Sequence, residues 1–484
     1  KAVEYVKVCS LYGAGFYYIP GTDTCLKLGG YLRADMGINT NSVFSGNTSG
    51  LGGAQNRLSN DFTWRARANL NLDTRTATEY GVVRTYFDAN YTWTSGGFNG
   101  LGNGATTYDS AVNGGVSNGQ LGLNFAFIQF AGFTIGKAVS LFSTPWGAYP
   151  GNIYEGLVGG GGTTSQGVNQ FAYTAEFGNG VSASVGVQDP TQYYQPGIFN
   201  ANTSLSIVNN TIATSNFGYG ASAYGGTRAP DVVGQIRVDQ AWGLFQASVA
   251  AHNNNPAYYG ANQTTGGPGD KWGWAGQLGL QIKNIPTGPG DTINVSGVYT
   301  NGASGYNFQE LAGPAAGAAI YSGVTGVGFG FAPDSVYGGR GPLQLVSTWG
   351  VRGAFNHNWN AYWSSSVFGA YASVRYNGAG KDVLCGGNGS VINASNAVAF
   401  LNGINGANIT TCNPDYNIAQ VGANLRWTPV KNLTFTTEAV YTMLDQKYAG
   451  TIALPANAGL AKPTGAYTLK DQDTWTVMLR AQRN

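Results

Sequence analysis

Residues 62–73 read Phe-Thr-Trp-Arg-Ala-Arg-Ala-Asn-Leu-Asn-Leu-Asp, and apolar and polar side chains alternate at every position of this stretch. Successive side chains of a β-strand point to opposite faces, so the pattern is typical of a strand with one apolar and one polar face. A half-buried strand of a soluble protein has about 5 to 6 residues, whereas a tilted strand that crosses a bilayer needs about 9 to 11. The length of this alternation therefore favours a membrane-spanning strand.

The same alternation recurs along the chain, at 26–35 and 80–93 near the start and at 433–441 and 475–480 near the end. Counting all segments of this type predicts sixteen strands. They lie near residues 26–39, 62–74, 79–94, 120–131, 133–141, 168–178, 181–188, 231–239, 242–251, 272–283, 291–300, 344–355, 358–376, 416–428, 432–445 and 471–482. Because the first and last strands share the pattern, we expect them to pair and close a barrel without edges.

The connections between these strands alternate in length. Tight turns such as 72–75, 131–132, 178–180 and 429–432 alternate with long segments rich in Gly, Asn, Ser and Thr. The long segments lie near 40–61, 95–119, 142–167, 189–230, 252–271, 301–343, 377–415 and 446–470. Short turns on one side and long loops on the other are typical of outer-membrane barrels. We therefore predict an all-β protein in which residues 1–484 form a single 16-stranded antiparallel transmembrane β-barrel.

The composition agrees with this fold and excludes other classes of protein. Gly accounts for 75 of the 484 residues, and charged residues for 10% where a soluble domain carries roughly 25%. No apolar stretch approaches the ~18 to 20 residues of a spanning helix, which leaves a closed barrel as the way to cross a membrane. A net charge of +2 supplies no broad field for nucleic acid, so we expect no nucleic-acid partner. The chain opens at Lys1 without a leader, so we expect a processed form.

Four cysteines occur as two locally spaced pairs, Cys9 with Cys25 and Cys385 with Cys412. No Cys-x-x-Cys spacing is present, which makes zinc a poor interpretation. Four cysteines allow three pairings, and we expect these neighbours to pair because short loops close at a lower entropic cost. The pairing predicts an oxidising compartment and a disulfide-stapled external loop at 381–415, with a short packed turn at its apolar stretch. Four free thiols are the alternative.

A barrel of about sixteen strands is too wide for side chains to fill and leaves an aqueous channel. The polar faces of the first three strands would place arginines and aspartates in this lumen. They are Arg33, Asp35, Arg65, Arg67, Arg84 and Asp88. Two carboxylates cannot neutralise four guanidinium groups, so we expect this wall to repel cations and attract anions. A set of solvated charges, or of charges that face a neighbouring subunit, is the alternative.

The third long segment, 142–167, contains two prolines and bulky rings, which favours a compact folded loop. If it folds into the barrel as a constriction loop, Tyr154 and Glu155 lie at the constriction. We expect Arg65 and Arg67 to face Glu155 across the passage, in a transverse field that orients dipolar solutes. An exposed loop with one solvated Glu is the alternative.

Motifs for catalysis or cofactor binding are weak. The histidines, His252 and His357, stand far apart and outside any ligand spacing, so we expect structural roles and no metal. Residues 115–119 satisfy Gly-x-Ser-x-Gly but lie in a predicted loop, and 159–162 lacks the ending of a phosphate loop. We expect no cofactor and no enzymatic activity. An outer-membrane hydrolase, which needs a base beside a nucleophile, is the alternative from the enzyme class.

The opening residues resemble a known family. Tyr-Val-Lys-Val-Cys at 5–9, YGAGFYYIPGTDTC at 12–25 and LKLGGYLRAD at 26–35 are similar to the start of the alphaproteobacterial general porins. The likeness extends to the Arg-Ala-Gln-Arg close and, more loosely, to the alternating body of the chain. The resemblance implies a homotrimeric, 16-stranded outer-membrane channel whose third loop folds inward. It also implies that residues 1–25 form an N-terminal disulfide segment through Cys9 and Cys25.

Carried over to this chain, the resemblance implies a charged wall opposite a loop carboxylate. The wall residues are Arg33, Arg65, Arg67 and Arg84, and the loop residue is Glu155. The second long segment, 95–119, would reach toward a neighbouring subunit. Barrels of this kind usually end on an aromatic residue, whereas this chain stops at Asn484. We expect one further terminal residue, and a different closure of the barrel is the alternative.

We therefore expect a passive diffusion channel for ions and small hydrophilic solutes in the bacterial outer membrane, in contact with membrane lipids and lipopolysaccharide. A substrate-selective channel is the alternative, in which Trp146, Tyr149 and Tyr154 offer stacking surface to a sugar or an aromatic solute. A secreted β-solenoid adhesin would show a fixed repeat of ~20 to 50 residues, and the spacing of the segments is variable instead.

Overall fold

The structure of the protein is a computed structural model. It describes residues 7–39, 62–94, 120–160, 165–191, 196–202, 223–260, 262–308, 318–321, 325–385, 408–454 and 465–484. The second long segment, 95–119, and the apolar stretch 397–401 inside the stapled loop lie outside these residues. Across the described ranges, the dominant feature is one large antiparallel sheet that closes on itself.

Sixteen long strands, β1 to β16 in chain order, form the wall of the barrel. Each pairs antiparallel with the next, and β1 also pairs with β16, where Leu32 stands opposite Arg483. The predicted closed barrel of sixteen antiparallel strands is confirmed. The strands are β1 (Thr24–Asn39), β2 (Phe62–Thr78), β3 (Gly81–Thr94), β4 (Gln120–Phe130), β5 (Phe133–Ala138), β6 (Val168–Gly178), β7 (Val181–Gln188), β8 (Asp231–Gln240), β9 (Gly243–Asn254), β10 (Lys271–Lys283), β11 (Thr292–Asn301), β12 (Ser347–Asn358), β13 (Trp363–Arg375), β14 (Tyr416–Val430), β15 (Leu433–Gln446) and β16 (Gln472–Arg483).

Several boundaries differ from the sequence prediction. The strand predicted at 133–141 ends at Ala138, and the strand predicted at 344–355 is Ser347–Asn358. Residues 72–75, predicted as a turn, lie inside β2, and the turn that follows consists of Glu79 and Tyr80. The polar run at 74–76 belongs to the end of the strand, close to the turn. The strand predicted to begin at 358 begins at Trp363 instead, because residues 359–362 form the turn.

The turn between β6 and β7 shows why the tight connections have their sequences. Asn179 and Gly180 have φ angles of 49° and 71°, which lie in the left-handed region. Asn and Gly adopt this region more readily than other residues, and two such residues give a turn whose twist matches that of the flanking strands. The sequence Gly-Asn-Gly at 178–180 therefore determines where the hairpin turns.

The two faces of each wall strand have different surroundings. In β2, Phe62 and Trp64 are 54% and 49% exposed on the outer face, whereas Thr63 and Arg65 are only 3% and 5% exposed. An outer face of this kind suits hydrocarbon, because its exposed side chains are apolar and its backbone groups pair with the neighbouring strands. Among the helices that the structure describes, none has the length and apolar character of a membrane span.

On one side of the wall, the face opposite the lipid carries buried apolar residues among its polar ones. On β13, Val367 is 57% exposed on the outer face, while Phe368 and Ala372 on the opposite face are buried. The buried hydrophobic residues of β12–β16 belong to one cluster, which we call the wall cluster, and connecting segments contribute to it. These contributions are Ile153, Tyr154, Leu157, Val158, Phe199, Phe308, Val327, Phe331, Ala332, Val336, Val346, Tyr376, Tyr448, Ile452, Tyr467 and Leu469. Folded chain, rather than water, therefore covers that part of the wall.

The connecting segments contain small elements of their own. A five-stranded sheet consists of Ala318–Tyr321, Gly326–Phe331, Gly465–Leu469, Ala449–Leu454 and Asn408–Thr411. A three-stranded sheet consists of Gln344–Leu345, Ser335–Tyr337 and Ile198–Asn200, and the short strand Tyr17–Tyr18 pairs with β1. In the described ranges the helices are α1 (Gly378–Cys385) and the 3-10 helices Ser10–Tyr12, Gln263–Thr265 and Ser304–Tyr306.

Both predicted disulfides are present, Cys9–Cys25 and Cys385–Cys412. The first joins the amino-terminal segment to the start of β1. The second ties the end of α1 to the residue that follows Asn408–Thr411. All four cysteines of the chain are therefore bonded, and the alternative of free thiols is wrong.

The outer face predicts a sharp difference between two positions of one strand. Leu278, near the middle of β10, is 59% exposed on the outer face, whereas Gln281 donates a hydrogen bond to Asn294 on the opposite face. We expect Leu278→Arg to lower the free energy of unfolding by about 2 to 4 kcal/mol, because the arginine must enter hydrocarbon. Urea unfolding in lipid vesicles, followed by tryptophan fluorescence, measures the change.

Gln281→Arg is the matched control, since it adds the same side chain to the same strand on the polar face. We expect it to change the free energy of unfolding by less than about 1 kcal/mol. Equal losses of stability in the two variants would contradict the assignment of the faces.

Candidate functional site

Asp35 is the centre of a charged cluster on the polar face of three neighbouring strands. Its carboxylate accepts hydrogen bonds from Arg65 of β2 at 2.9 Å and from Arg480 of β16 at 2.6 Å. Both arginines stand directly opposite Asp35 in the strand register, which accounts for the contacts. Each such pair of opposite charges stabilises a sheet by about 0.2 to 1 kcal/mol.

Arg65 connects this cluster to the third long segment. It donates to both carboxylate oxygens of Glu155, with Nη1–Oε2 at 3.0 Å and Nη2–Oε1 at 2.6 Å. The two-point geometry is the strongest form of contact between a guanidinium and a carboxylate. Burial disfavours the charged form of Glu155, but the Arg65 guanidinium outweighs burial and holds the pKa of Glu155 below its usual value. Glu155 is therefore an anion at neutral pH.

Side chains of β14 and β15 hold the backbone of the same segment. Glu438 accepts hydrogen bonds from the N–H groups of Ile153 and Tyr154, both at 2.7 Å. Gln420 accepts a hydrogen bond from the N–H group of Val158 at 2.8 Å. These backbone groups are buried, and the wall side chains supply the partners that water would otherwise provide.

A cavity of about 370 Å³ lies between the third segment and the wall of β1–β4 and β16. Three of its lining residues are cationic, Arg33, Arg67 and Arg480. Two others, Asp88 and Glu155, have carboxylates. The formal charge of these five side chains is therefore +1, and guanidinium groups keep their charge at any physiological pH.

Rings and amides complete the lining of the cavity. The rings belong to Tyr31, Phe125 and Tyr149, of which the last lies on the third segment. The amides include Asn69 and Asn90 on the wall. The cavity thus combines a charged wall with flat apolar surfaces and neutral hydrogen-bonding groups.

The structure brings six of the eight predicted site residues together. Arg33, Arg67, Asp88 and Glu155 line the cavity, and Asp35 and Arg65 form the ion-pair cluster beside it. Arg84 and Tyr154 lie outside both the lining of the cavity and the ion-pair cluster.

Arg84 lies near the turn that joins β2 and β3. It donates to both oxygens of Asp73 at 3.0 Å, and Arg75 donates to the same carboxylate. The register explains the difference from the prediction, because Arg84 stands opposite Arg75 and three residues from the start of β3. Alternation identifies the face of a residue but does not give its height along the barrel.

Tyr154 is fully buried in the wall cluster. Its hydroxyl lies 3.4 Å from the amide nitrogen of Gln420, and its own N–H group contacts Glu438. The next residue, Glu155, points to the arginines instead. Neighbouring residues of the segment thus face opposite sides, a charged wall and an apolar wall, and only the charged one was foreseen from the sequence.

Arg65 and Arg67 differ in their relation to Glu155. Arg65 is in direct contact with it, so no opening separates these two residues. Arg67 donates to Thr92 at 3.0 Å and lines the cavity together with Glu155. The cavity therefore has Arg67 and Glu155 on its border, while Arg65 holds the segment.

Polar residues of the site that were not predicted include Arg480, Glu438 and Gln420. Their signal is present in the sequence, because Glu438 and Arg480 occupy the polar faces of alternating strands near the carboxyl end. Closure of the barrel brings β16 beside β1. The charged site therefore includes the last strands of the barrel as well as the first three.

The histidines have partners of their own. His252 Nδ1 lies 2.7 Å from Asp231, and Nε2 lies 2.8 Å from the hydroxyl of Tyr224. His357 Nδ1 lies 2.6 Å from Asp291. Within the residues that the structure describes, no group of His, Cys, Asp and Glu side chains is arranged to hold a metal ion.

A closed antiparallel barrel with an apolar outer face and charged residues on the opposite face defines the class of outer-membrane β-barrel proteins. The chain matches the Porin subfamily over residues 1–478 and belongs to this family. The resemblance seen in the opening residues is therefore confirmed. The family and the barrel place the protein in the bacterial outer membrane and point to a channel rather than an enzyme.

Porin Omp2a of Brucella melitensis biotype 1 is 36% identical over 190 residues, which cover 39% of this chain and 48% of the relative. Porin Omp2b of Brucella suis is 32% identical over 253 residues, which cover 52% of this chain and 58% of the relative. The chain thus spans about half the length of the curated relatives it matches. The crystal structure of the outer membrane channel DcaP of Acinetobacter baumannii has the same fold, with a TM-score of 0.54 and 15% identity over 96% of this chain and 99% of that chain.

The Arg65–Glu155 contact predicts how firmly the third segment is held. Glu155→Gln removes the charge and keeps the shape of the side chain. We expect amide hydrogen exchange at 150–158 to accelerate by about tenfold, which is a smaller effect than the loss of a fully buried ion pair would have.

Acid should have the same effect on the Arg65–Glu155 contact. Because the pKa of Glu155 is lowered, the contact is complete at neutral pH and is lost as the pH falls below about 4.3, the usual value for glutamate. Hydrogen exchange with mass spectrometry measures both effects.

Glu176→Gln is the control. Glu176 is exposed at the end of β6, so this substitution makes the same chemical change away from the segment. We expect it to leave exchange at 150–158 unchanged. Equal exchange in wild type and Glu155→Gln would show that Arg65 does not hold the segment.

Proposed function

We propose that the protein is a passive diffusion channel for ions and small hydrophilic solutes across the bacterial outer membrane. The observation that carries the proposal is the cavity between the third segment and the wall, since its lining is charged and polar over most of its surface. Such a lining exchanges hydrogen bonds with a hydrated solute without a large desolvation cost. The names of the relatives, which are porins, support the proposal.

In this proposal, segment 142–167 folds into the barrel and forms the constriction. The contacts of Glu155 with Arg65, and of Glu438 and Gln420 with the segment backbone, support this placement. The wall contributes Arg33, Arg67 and Arg480 to the constriction, and the segment contributes Tyr149 and Glu155. The chain forms a single barrel unit. Residues 1–25 are its disulfide segment, and 381–415 is a stapled external loop.

The passage occupies only part of the lumen. The wall cluster covers β12–β16, so solutes pass beside β1–β4, where the charged residues lie. The opening is therefore much narrower than the bare width of a 16-stranded barrel. This asymmetry makes the few residues of the cavity, rather than the barrel as a whole, the determinants of passage.

We further propose that the protein is a homotrimer. Strand β5 has 6 residues and β7 has 8, whereas a tilted strand needs about 9 to 11 to cross hydrocarbon. A wall this short is suited to a neighbouring subunit rather than to lipid. The remaining outer surface would contact membrane lipids and lipopolysaccharide.

The rings of the third segment give limited support to a sugar-selective channel. Trp146 and Tyr154 are 7% and 0% exposed, so of these three rings of the segment Tyr149 alone lines the cavity. We propose no enzymatic activity. His252, with a hydroxyl and a carboxylate beside it, is 0% exposed and out of reach of a substrate.

Single-channel recording of the purified protein in a planar bilayer tests the proposed function. We expect stepwise openings in groups of three and a current that rises linearly with salt concentration. Purified barrel that inserts into the bilayer without conducting would overturn the proposal.

Tyr149→Ala tests the constriction itself. We expect it to raise the single-channel conductance, because it removes a ring from the narrowest part of the passage. Tyr80→Ala is the control, since Tyr80 is 73% exposed in the turn between β2 and β3. A conductance that rises equally in both variants, or in neither, argues against a constriction formed by 142–167.

A further inference from the structure

Arg33 and Arg67 stand directly opposite one another on β1 and β2. Side chains opposite one another on one face of a sheet have Cβ atoms about 4.5 to 5.5 Å apart, and like charges in this position repel. Two guanidinium groups are thus held side by side on the border of the cavity. The sheet gains nothing from this pairing, which calls for an explanation in function.

We call each row of side chains that stand opposite one another across the strands a level of the wall. The charges of the neighbouring level, two residues along β1, are balanced. There Asp35 stands opposite Arg65 and Arg480, and Glu155 adds a second carboxylate. That level has two cations and two anions. At the level of Arg33 and Arg67, the outer cross-strand neighbours are instead the neutral residues Gln482 and Thr92.

The partners of the two arginines are neutral amides, hydroxyls and rings. Arg33 Nε donates to Gln482 at 2.8 Å, and its guanidinium lies 4.4 Å from the centre of the Tyr31 ring. Arg67 Nε donates to Thr92 at 3.0 Å. In the part of the chain that the structure describes, neither arginine forms an ion pair with a carboxylate.

The carboxylates around the cavity are occupied elsewhere. Asp88 accepts hydrogen bonds from Asn69 at 2.8 Å and from Asn124 at 2.6 Å. Glu155 is bound to Arg65 at two points. Rearranging either one toward Arg33 or Arg67 would break these contacts, so the positive charge is best compensated by a solute.

The shape of the site favours a flat anion. Guanidinium groups bind planar carboxylates with two parallel hydrogen bonds. The rings of Tyr31, Phe125 and Tyr149 line the same cavity, and its volume of about 370 Å³ is in the range of small-molecule sites. A carboxylate with an aromatic ring would therefore engage both kinds of surface.

We infer that Arg33 and Arg67 form a binding site for small organic carboxylates inside the passage, with aromatic carboxylates bound more tightly than aliphatic ones. The inference rests on the proposed channel function and specifies its substrate class. Occupancy of the site concentrates anions at the constriction, so the channel prefers anions over cations.

Block of the potassium chloride current by benzoate at neutral pH tests the inference in single channels. We expect benzoate to reduce the wild-type current at lower concentration than acetate, and neutral benzyl alcohol to have little effect. In the Arg33→Gln, Arg67→Gln double variant, we expect the half-blocking concentration of benzoate to rise by about tenfold or more, because two charged hydrogen-bond donors are lost. The reversal potential in a salt gradient should move from the anion side toward zero.

Two further variants separate the site from general electrostatics. Arg84→Gln removes one arginine near the β2–β3 turn, and we expect it to leave the benzoate block unchanged. Arg33→Lys with Arg67→Lys keeps the charge but loses the flat two-point geometry, so we expect anion preference to persist while benzoate block weakens. If the glutamine variant does not fold, the lysine variant supplies the test.

The outcomes distinguish this inference from the function on which it rests. A barrel that does not conduct overturns the proposed function. A channel that conducts, but in which benzoate block is the same in wild type and in the glutamine or lysine variant, overturns the carboxylate site and leaves the channel in place. Equal block by benzoate and benzyl alcohol would also overturn the carboxylate site, because a neutral ring would then be sufficient to block the current.

Discussion

Hydrocarbon offers no hydrogen-bond partner to a peptide group, and the closure of β1 onto β16 is how this chain meets that constraint. Once the sheet is closed, alternate residues must point to opposite faces, so apolar side chains cover the outside and polar ones face one another. Closure places Asp35 between Arg65 and Arg480, which lie 30 and 445 residues away in the sequence. The charged site is thus a direct product of the barrel seam rather than a feature added to it.

Register then decides how the charges are distributed. The level of Asp35 needs a second carboxylate to balance two arginines, and Glu155 supplies it from the third segment. One contact therefore completes the ion-pair cluster and holds the segment beside the wall. Within the described residues, no carboxylate forms an ion pair with Arg33 or Arg67, which leaves two cations on the border of the cavity. In the proposed channel, the same arrangement builds the constriction and sets its preference for anions.

The barrel could be predicted from the sequence because a membrane imposes a strict period of two on each strand, as in 62–73. The lumen charges followed from the same pattern, but their heights did not, so Arg84 was grouped with residues that lie farther along the barrel. The apolar wall of β12–β16 was missed for a different reason. Where connecting segments pack on the wall, residues such as Phe368 and Ala372 are apolar although they face away from lipid, and periodicity does not show what covers them. The burial of Tyr154 follows from that cover.

The central claim is that the lumen is open beside β3 and closed beside β15. All four native cysteines are in disulfides, so a single introduced cysteine is the one free thiol of the chain. Asn90 lines the cavity, and Thr442 is 1% exposed on the polar face of β15. We predict that an anionic methanethiosulfonate reagent lowers the single-channel current of Asn90→Cys within seconds and leaves that of Thr442→Cys unchanged. Equal or faster block of Thr442→Cys would contradict the account.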